Sequence, residues 1–518
     1  MAVEPHGHEY PPKATRVIGF KRRLWKLFPK PPGWVEDEWP PLQLVYLGEY
    51  LGDLGCQTVV VESHYIDRDY VSDVALFYSR SLRSSQNYCQ RLHFFDEPFG
   101  QSEWRKLVSR TDARGQREAK TFLQRTYLGF SVVRPLPGAP VGRTVVRPFS
   151  EAADGSRRHF SALRDYPVHL GCFELTVRGL AFQQQDQGVS ACATTALWSS
   201  IHCVAPLDGR ALMTPAEITE AATRYFLPGG RSLPSEGLTL HQICEATRAA
   251  GLAPLLVPAV APDHDRAQLF AYSQSGFAPI MALQPLTGGP DGHAVCVVGT
   301  KHGMATPQTD PDLHYRDSYT GMEAVYVHDD RLGPYAPADL YPYTLPPPRC
   351  EAREAYTPEI CTGVRIRWPG KMRIEAEHCI LLALIVPVPV KLRLSVARMR
   401  VLGMAIAEAA GVLFPEFERS VTLNCIYQLA STYKQRAQAF GLSAQGLYNL
   451  GCQSVLSRYV GVIEISSPAG ALFDVLLDAT ETRPNPSSIA CVKREKLPRR
   501  GIGKVRAIAR KLAAPFLS

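Results

Sequence analysis

The chain has 518 residues, of which 45% are hydrophobic and 20% charged, a composition typical of a folded soluble protein of two to four domains. Its longest apolar run, residues 379–390, is too short to span a bilayer, and its two prolines suit a buried strand better. The polar, acidic N-terminus does not predict a signal peptide, and the thirteen cysteines include no CxxC pair. These features exclude a transmembrane helix, a zinc ribbon and a disulfide framework, and they predict a cytoplasmic location.

The net charge of +8 is concentrated at the two ends of the chain. Residues 493–511 contain nine basic side chains and one acidic side chain, and the first 34 residues contain seven basic and two acidic ones. Such a segment can bind nucleic acid or an anionic surface, although a solvated tail is the commoner case. We therefore interpret residues 493–518 as a basic tail, with nucleic acid or an anionic surface as its candidate partner.

The pattern of residues 1–165 predicts an N-terminal α/β domain, and the sequence does not indicate its role. Residues 11–42 are rich in proline and predict an extended entry segment. The pattern that follows predicts a strand at 58–62, a helix at 73–82, helical structure over 100–127, and two strands at 129–135 and 142–146.

Residues 166–345 predict an α+β domain with two packed lobes, because helices come first and strands follow. One helical pattern opens at Cys192, and a second begins at Thr214 through a capping box with proline at the first helical position. A third helix is predicted over 238–250. The strands predicted after these helices lie at 278–283, 294–299 and 324–328.

A proline-rich linker at 344–348 predicts the next domain boundary. Residues 346–492 predict a separate C-terminal α/β domain that carries no recognisable chemical motif. Its expected elements are strands at 362–367 and 379–386, a helix at 393–411, further helix between 417 and 458, and strands at 459–465 and 471–477.

Cys192 is the candidate nucleophile. It follows a glutamine-rich loop and opens an apolar helical pattern. At a helix N-terminus, unpaired N–H groups and the positive end of the helix dipole favour the thiolate over the thiol. Cys203 falls on nearly the same helical face but in mid-helix, so we interpret it as a packing residue.

His293 and Asp329 complete the order of a thiol-nucleophile triad. His293 opens a strand-like run, and Asp329 ends another. The histidine would take the proton from the thiol, and the acid would hold the imidazole in the required tautomer. Asp330 and Asp317 remain alternatives for the acid. A side-chain amide upstream, from Gln187 or Gln185, would stabilise the oxyanion together with the Cys192 backbone N–H.

This arrangement resembles the papain-like cysteine peptidases, most closely the bacteriocin-processing, C39-type branch. In that branch, a glutamine precedes a cysteine at a helix start, one strand opens with histidine, and another ends with aspartate. The matching residues are Gln185 or Gln187, Cys192, His293 and Asp329. The resemblance covers about 170 of the 518 residues. It implies a papain-like two-lobed domain that cleaves peptide or amide bonds.

The chain departs from the family pattern in four places. The family glutamine lies six residues before the cysteine, where this chain has Asp186, and the residue after the cysteine is Ala193 rather than glycine. Asp330 stands where the family turn usually has proline. A polar insertion at about 301–322 separates the histidine from the aspartate, and we interpret it as a flap near the site.

The sequence contains no phosphate-binding loop, zinc-peptidase motif or dinucleotide-binding motif, so we expect neither a cofactor nor a metal. Our first hypothesis is a cysteine peptidase or related thiol hydrolase that acts on a protein or peptide. The alternative is a non-catalytic papain-like sensor or scaffold that binds a peptide or nucleic acid, in a bacterial defence or stress system.

Overall fold

The computed structural model of the protein describes residues 15–27, 40–80, 86–136, 138–149, 156–186, 188–189, 191–224, 237–287, 292–303, 312–346, 359–367, 376–417, 420–482 and 487–518. Helices and strands both contribute, as expected for an α+β protein. No helix in these ranges has both the length and the apolar character needed to cross a lipid bilayer.

An antiparallel sheet forms the N-terminal part of the chain, with its strands in sequence order. Its strands are β1 (Thr15–Gly19), β2 (Thr58–Tyr65), β3 (Cys89–Phe95), β4 (Tyr127–Val133) and β5 (Val141–Val146), and its helices are α1 (Leu42–Asp53), α2 (Arg68–Leu76), α3 (Gln101–Val108) and α4 (Ala113–Thr126). The predicted strands and the helical region 100–127 are confirmed. The helix predicted at 73–82 begins earlier, because the Asp67 carboxylate accepts hydrogen bonds from the N–H groups of Asp69 and Tyr70 and caps it there.

The middle of the chain begins with short strands and continues with helices packed on a second sheet. Its elements are β6 (Arg157–His159), β7 (Arg164–Leu170), β8 (Phe173–Gly179), α5 (Cys192–Val204), α6 (Pro215–Thr223), α7 (Leu240–Ala249), β9 (Leu252–Pro258), α8 (Pro262–Gln274), β10 (Ile280–Pro285), β11 (His293–His302), β12 (Tyr315–Asp317), β13 (Met322–Asp329), β14 (Gly333–Thr344), β15 (Ile360–Ile366) and β16 (Glu377–Pro389). The capping box predicted at Thr214 is present.

The second sheet closes into a barrel. Strands β10, β11, β13, β14, β15 and β16 pair antiparallel in that order, and β16 also pairs with β10. The predicted boundary at 345 is therefore wrong, because β15 and β16 belong to this barrel and not to a C-terminal domain. The apolar run of β16 is buried on both faces from Ala383 to Pro389, which explains its almost continuous hydrophobic sequence.

The C-terminal part contains a six-stranded sheet, ordered β12, β17, β18, β19, β20 and β21, and β7 and β8 form a separate two-stranded sheet. The elements introduced here are α9 (Val396–Leu413), β17 (Val421–Leu429), α10 (Ala430–Ala437), α11 (Ala444–Tyr448), β18 (Tyr459–Ser467), β19 (Gly470–Asp478), β20 (Ser488–Lys493), α12 (Ile502–Lys511) and β21 (Phe516–Leu517). The further helix predicted between 417 and 458 is present as α10 and α11, and a strand that was not predicted precedes it. Val421, Leu423 and Cys425 alternate with less buried residues, and this period of two builds β17.

The predicted basic tail at 493–518 is part of this C-terminal fold. Helix α12 buries Val505, Ile508 and Ala509, and β21 pairs parallel with β20. Arg506 and Arg510 lie on the exposed side of α12. The basic composition therefore belongs to an amphipathic helix, whose apolar face holds it on the domain.

The insertion predicted as a flap connects two domains in its described part. Strand β12 pairs parallel with β17, and the Asp317 carboxylate lies 2.8 Å from the Arg400 guanidinium of α9. His314 pairs with Glu408 of the same helix. Residues 312–322 are therefore a strap to the C-terminal domain, while residues 304–311 lie outside the described ranges.

Candidate active site

Cys192 lies at the N-terminus of α5, as the sequence predicts. Every other residue of this helix is buried, whereas Cys192 is half-buried at its open end. The N-cap residue, Ala191, has no side-chain acceptor for the N–H groups of the first turn. Helix α5 packs against β10, β11, β13 and β16, so it delivers the thiol to one end of the barrel.

His293 and Asp329 meet at that end of the barrel. His293 begins β11, and Asp329 ends β13. These strands are antiparallel neighbours, so both residues lie at the same end of the sheet. The His293 Nε2 atom lies 3.1 Å from Asp329 Oδ1, and both side chains are almost fully buried. The Cys192 side chain lies close enough to the same imidazole to contribute to raising its pKa. The structure thus brings the three predicted residues together.

The charges in this cluster favour an imidazolium next to a carboxylate. Burial by itself lowers the pKa of His293, but the charge and hydrogen bond of Asp329, with contributions from Cys192 and Asp330, raise that pKa to about 10. Burial opposes ionisation of Asp329 as well, yet His293 and Arg331 lower its pKa to about 2. Both pKa shifts are in the direction expected for an ion pair between His293 and Asp329.

A tight turn holds Asp329 in place. Asp329 Oδ1 accepts a hydrogen bond from the Arg331 N–H at 3.0 Å, and the Asp329 carbonyl accepts one from the Leu332 N–H at 3.0 Å. The Arg331 guanidinium forms a two-pronged ion pair with Glu377 of β16. The Asp329 carboxylate is therefore held by its own turn and by the neighbouring strand, in addition to its contact with His293.

The two alternative acids have different surroundings. Asp330 lies beside the triad and is 3% exposed, and neither of its carboxylate oxygens has a hydrogen-bond partner. Burial, and to a lesser extent the charge of Asp329, raise the pKa of Asp330 to about 7 against the opposing effect of His293. Asp317 pairs with Arg400 in the strap instead. Of the three acids, Asp329 is the one hydrogen-bonded to His293.

The glutamine-rich loop is anchored to the N-terminal sheet. Asp186, at the position of the family glutamine, accepts hydrogen bonds from the N–H groups of Gly188 and Val189 at 2.9 and 2.6 Å. It also pairs with Arg134 at 3.5 Å. Gln184 exchanges hydrogen bonds with β5 through both its backbone and its side chain. Asp186 therefore helps to hold this loop in place.

The candidate oxyanion donors lie on the same loop. Gln185 is half-buried, and Gln187 lies outside the described residues. Gln183 was not a sequence-based candidate, but its side-chain nitrogen is buried and has no hydrogen-bond partner. A buried amide donor is normally paired, so an unpaired one next to a reactive loop is a further candidate. The signal in the sequence was the run of three glutamines at 183–185.

Sequence reasoning missed His328. Tyr335 donates its backbone N–H to His328 Nδ1 at 3.2 Å, so His328 Nε2 carries the proton and donates to the Leu180 carbonyl at 3.1 Å. Burial lowers the pKa of His328 to about 3, which keeps it neutral. His328 therefore ties the strand of Asp329 to the segment that leads into the glutamine-rich loop. The register of β13 with β14 shifts between Val327 and Asp329, at His328 itself.

Helix α1 of the N-terminal domain braces the turn from outside. The Gln43 side chain donates to the Asp330 carbonyl at 3.0 Å, and the Tyr46 hydroxyl donates to the Pro334 carbonyl at 2.7 Å. The Tyr46 ring lies against Gly333, where a side chain would collide with it. No local pattern in α1 could have indicated these contacts, because their partners lie almost 290 residues away.

Cys203 is a packing residue in the structure, as predicted. It is fully buried, and its sulfur contacts the Arg164 guanidinium at 3.3 Å and the Gly276 carbonyl at 3.2 Å. Burial raises the pKa of its thiol, despite the nearby Arg164. The two cysteines of α5 therefore differ in access and in surroundings.

No protein-family model matches the chain, and no curated protein matches it in sequence. The evidence for a function is therefore the geometry of the site.

Proposed function

We propose that the protein is a cysteine peptidase or a related thiol hydrolase. The observation that supports this most directly is the cluster of Cys192, His293 and Asp329 at one end of the barrel. The thiol is half-buried at an uncapped helix N-terminus, and its histidine partner is held by a buried acid. The combination of a barrel and packed helices is compatible with the two lobes of a papain-like domain. We propose that the protein acts in the cytoplasm.

In this mechanism, His293 takes the proton of Cys192, and the imidazolium stabilises the thiolate. The sulfur attacks the carbonyl carbon of a peptide or amide, and a tetrahedral oxyanion forms. His293 then gives its proton to the leaving nitrogen, which departs as an amine and leaves a thioester on Cys192. Water attacks the thioester while His293 accepts a water proton, and the acid product leaves as the thiol is restored. Throughout these steps, His293 Nε2 keeps its hydrogen bond to Asp329, so the other ring nitrogen carries the transferred proton.

The oxyanion would be bound by backbone and amide donors. The first-turn N–H groups of α5 have no side-chain cap and point towards the sulfur end of the helix. The predicted donors Gln185 and Gln187 remain candidates, and Gln183 joins them because of its buried, unpaired amide nitrogen. Removing one such donor from an acyl-transfer site typically slows turnover by about 10²- to 10³-fold.

The deciding experiment compares proteome-wide cleavage by the wild-type chain and by Cys192→Ala. We expect new peptide N-termini with the wild type and none with the variant, because the acyl intermediate cannot form without the sulfur. Cys244→Ala is the matched control, since Cys244 is also half-buried and lies in mid-helix. An iodoacetamide or E-64-type probe should label Cys192 before the other cysteines.

Equal cleavage patterns with wild type and Cys192→Ala, together with labelling elsewhere, would favour the non-catalytic alternative. In that case the same domain would bind a peptide without cleaving it. The two functions therefore give opposite outcomes in one experiment.

A further inference from the structure

Asp330 has no role in the proposed mechanism, yet the burial of its carboxylate costs free energy. Its side chain is 3% exposed, and both carboxylate oxygens are buried without a hydrogen-bond partner. The Gln43 contact satisfies only its backbone carbonyl. An ionised carboxylate in such a place costs several kcal/mol unless a cation or a donor compensates it. The structure therefore contains a buried acceptor that lacks a partner.

The two neighbours of this carboxylate are also metal-ligating types. One ligand atom each from His293, Asp329 and Asp330 lies within 4.8 Å of the others. Two ligand atoms bound to one tetrahedral Zn²⁺ lie about 3.4 Å apart. His293 Nε2 and Asp329 Oδ1 are already 3.1 Å apart, and the Asp330 oxygen would have to move closer by at most about 1.4 Å. One imidazole nitrogen and two carboxylate oxygens suit Zn²⁺ or Mn²⁺.

The charges around the cluster also favour a cation. The Arg331 guanidinium lies beside the cluster, with its Nε 3.7 Å from Asp329 Oδ1, and Glu377 engages both of its terminal nitrogens. The three carboxylates of Asp329, Asp330 and Glu377 therefore share two basic groups, Arg331 and His293. A divalent cation would neutralise the carboxylates of Asp329 and Asp330 while His293 binds it as neutral imidazole.

We propose that His293, Asp329 and Asp330 form a divalent-cation site, most suited to Zn²⁺, whose occupancy blocks the triad. The cation takes the Nε2 lone pair, so the hydrogen bond between His293 and Asp329 is lost and the imidazole no longer accepts the proton of Cys192. Binding releases one proton from His293 when that residue is charged. The inhibitory consequence rests on the proposed function, but the cation site itself does not.

The test is calorimetric titration of the full chain with Zn²⁺, without any substrate, using wild type, Asp330→Asn and Cys192→Ala. We expect Asp330→Asn to weaken one site by at least about tenfold, because an amide oxygen is a poorer ligand than a carboxylate. Cys192→Ala should keep that site. Sites made by other thiols would appear equally in all three proteins.

The opposite result, in which Cys192→Ala loses the site and Asp330→Asn keeps it, would overturn the proposal, since the cation would then bind the thiol. No difference among the three proteins would overturn it as well.

Asp339→Asn is the control for the substitution itself, because Asp339 pairs with two arginines at the surface. Should Asp330→Asn fail to fold, Asp330→Ser serves the same comparison, and Mn²⁺, which thiols bind weakly, provides a second probe. Because no turnover is measured, absence of hydrolase activity leaves this outcome unaffected.

Discussion

The chemistry of this protein depends on three side chains that lie far apart in sequence and share one buried cluster. His293 is the central member, since it contacts both Asp329 and Cys192. Asp329 outweighs the effect of burial on His293, so the imidazolium form is favoured. Asp330 sits beside this pair without a partner of its own. At the residue scale, the site is an ion pair with an additional acid.

The ion pair gives the stability of the protein a defined pH dependence. The pKa of His293 is raised from 6.5 to about 10, so its contribution is complete below pH 6.5 and is lost as pH rises through 10. The pKa of Asp329 is lowered from 3.8 to about 2, so its contribution is complete above pH 3.8 and is lost as pH falls through 2. We expect Asp329→Asn to lower the free energy of unfolding by about 3 kcal/mol at pH 5.5, and by less at pH 9, in urea titrations.

The control for this measurement is Asp339→Asn, which removes a more exposed acid and should cost less than about 1 kcal/mol. A cost for Asp329→Asn that stays the same at both pH values would contradict the ion pair.

At the scale of elements, the site is held where segments from different parts of the chain touch. Helix α5 presents the thiol, β11 and β13 present the histidine and the acid, and the loop before α5 is anchored to β5. Helix α1 then closes the outside of the acid turn through Gln43 and Tyr46. The N-terminal domain is therefore part of the support of the site.

Gly333→Ala tests this support. A methyl group at position 333 would collide with the buried Tyr46 ring, so we expect a loss of about 1–3 kcal/mol in the free energy of unfolding. The matched control is Gly503→Ala in α12, where the added methyl group meets nothing within 4 Å and alanine favours the helix. Equal effects of the two substitutions in thermal or urea unfolding would show that α1 does not brace the turn.

At the scale of the whole molecule, shared sheets join the barrel region to the C-terminal domain. The barrel continues past the proline-rich segment through β15 and β16, and the strap at 312–322 adds β12 to the C-terminal sheet. The two strands that carry His293 and Asp329 are linked by this strap at their far ends. The C-terminal domain is thus attached to the same strands that form the site.

Truncation distinguishes the predicted boundary from the observed one. A chain that ends at residue 345 lacks β15 and β16, so the barrel cannot close and the edges of β10 and β14 are left unpaired. We expect this chain to bind the dye ANS and to show no cooperative thermal transition. A chain that ends at residue 391 keeps all six barrel strands and should retain a transition, at a lower temperature than the full chain. Similar behaviour of the two fragments would contradict the closed barrel.

The sequence by itself determined the features that arise from local patterns. Cys192 at a helix start, the capping box at Thr214 and the strands of His293 and Asp329 all follow from periodicity and capping over a few residues. Tertiary structure alone decided the extent of the barrel, the α1 brace and the burial of Asp330 without a partner. These features depend on contacts between segments tens to hundreds of residues apart, and no local pattern encodes which distant surface will cover a given side chain.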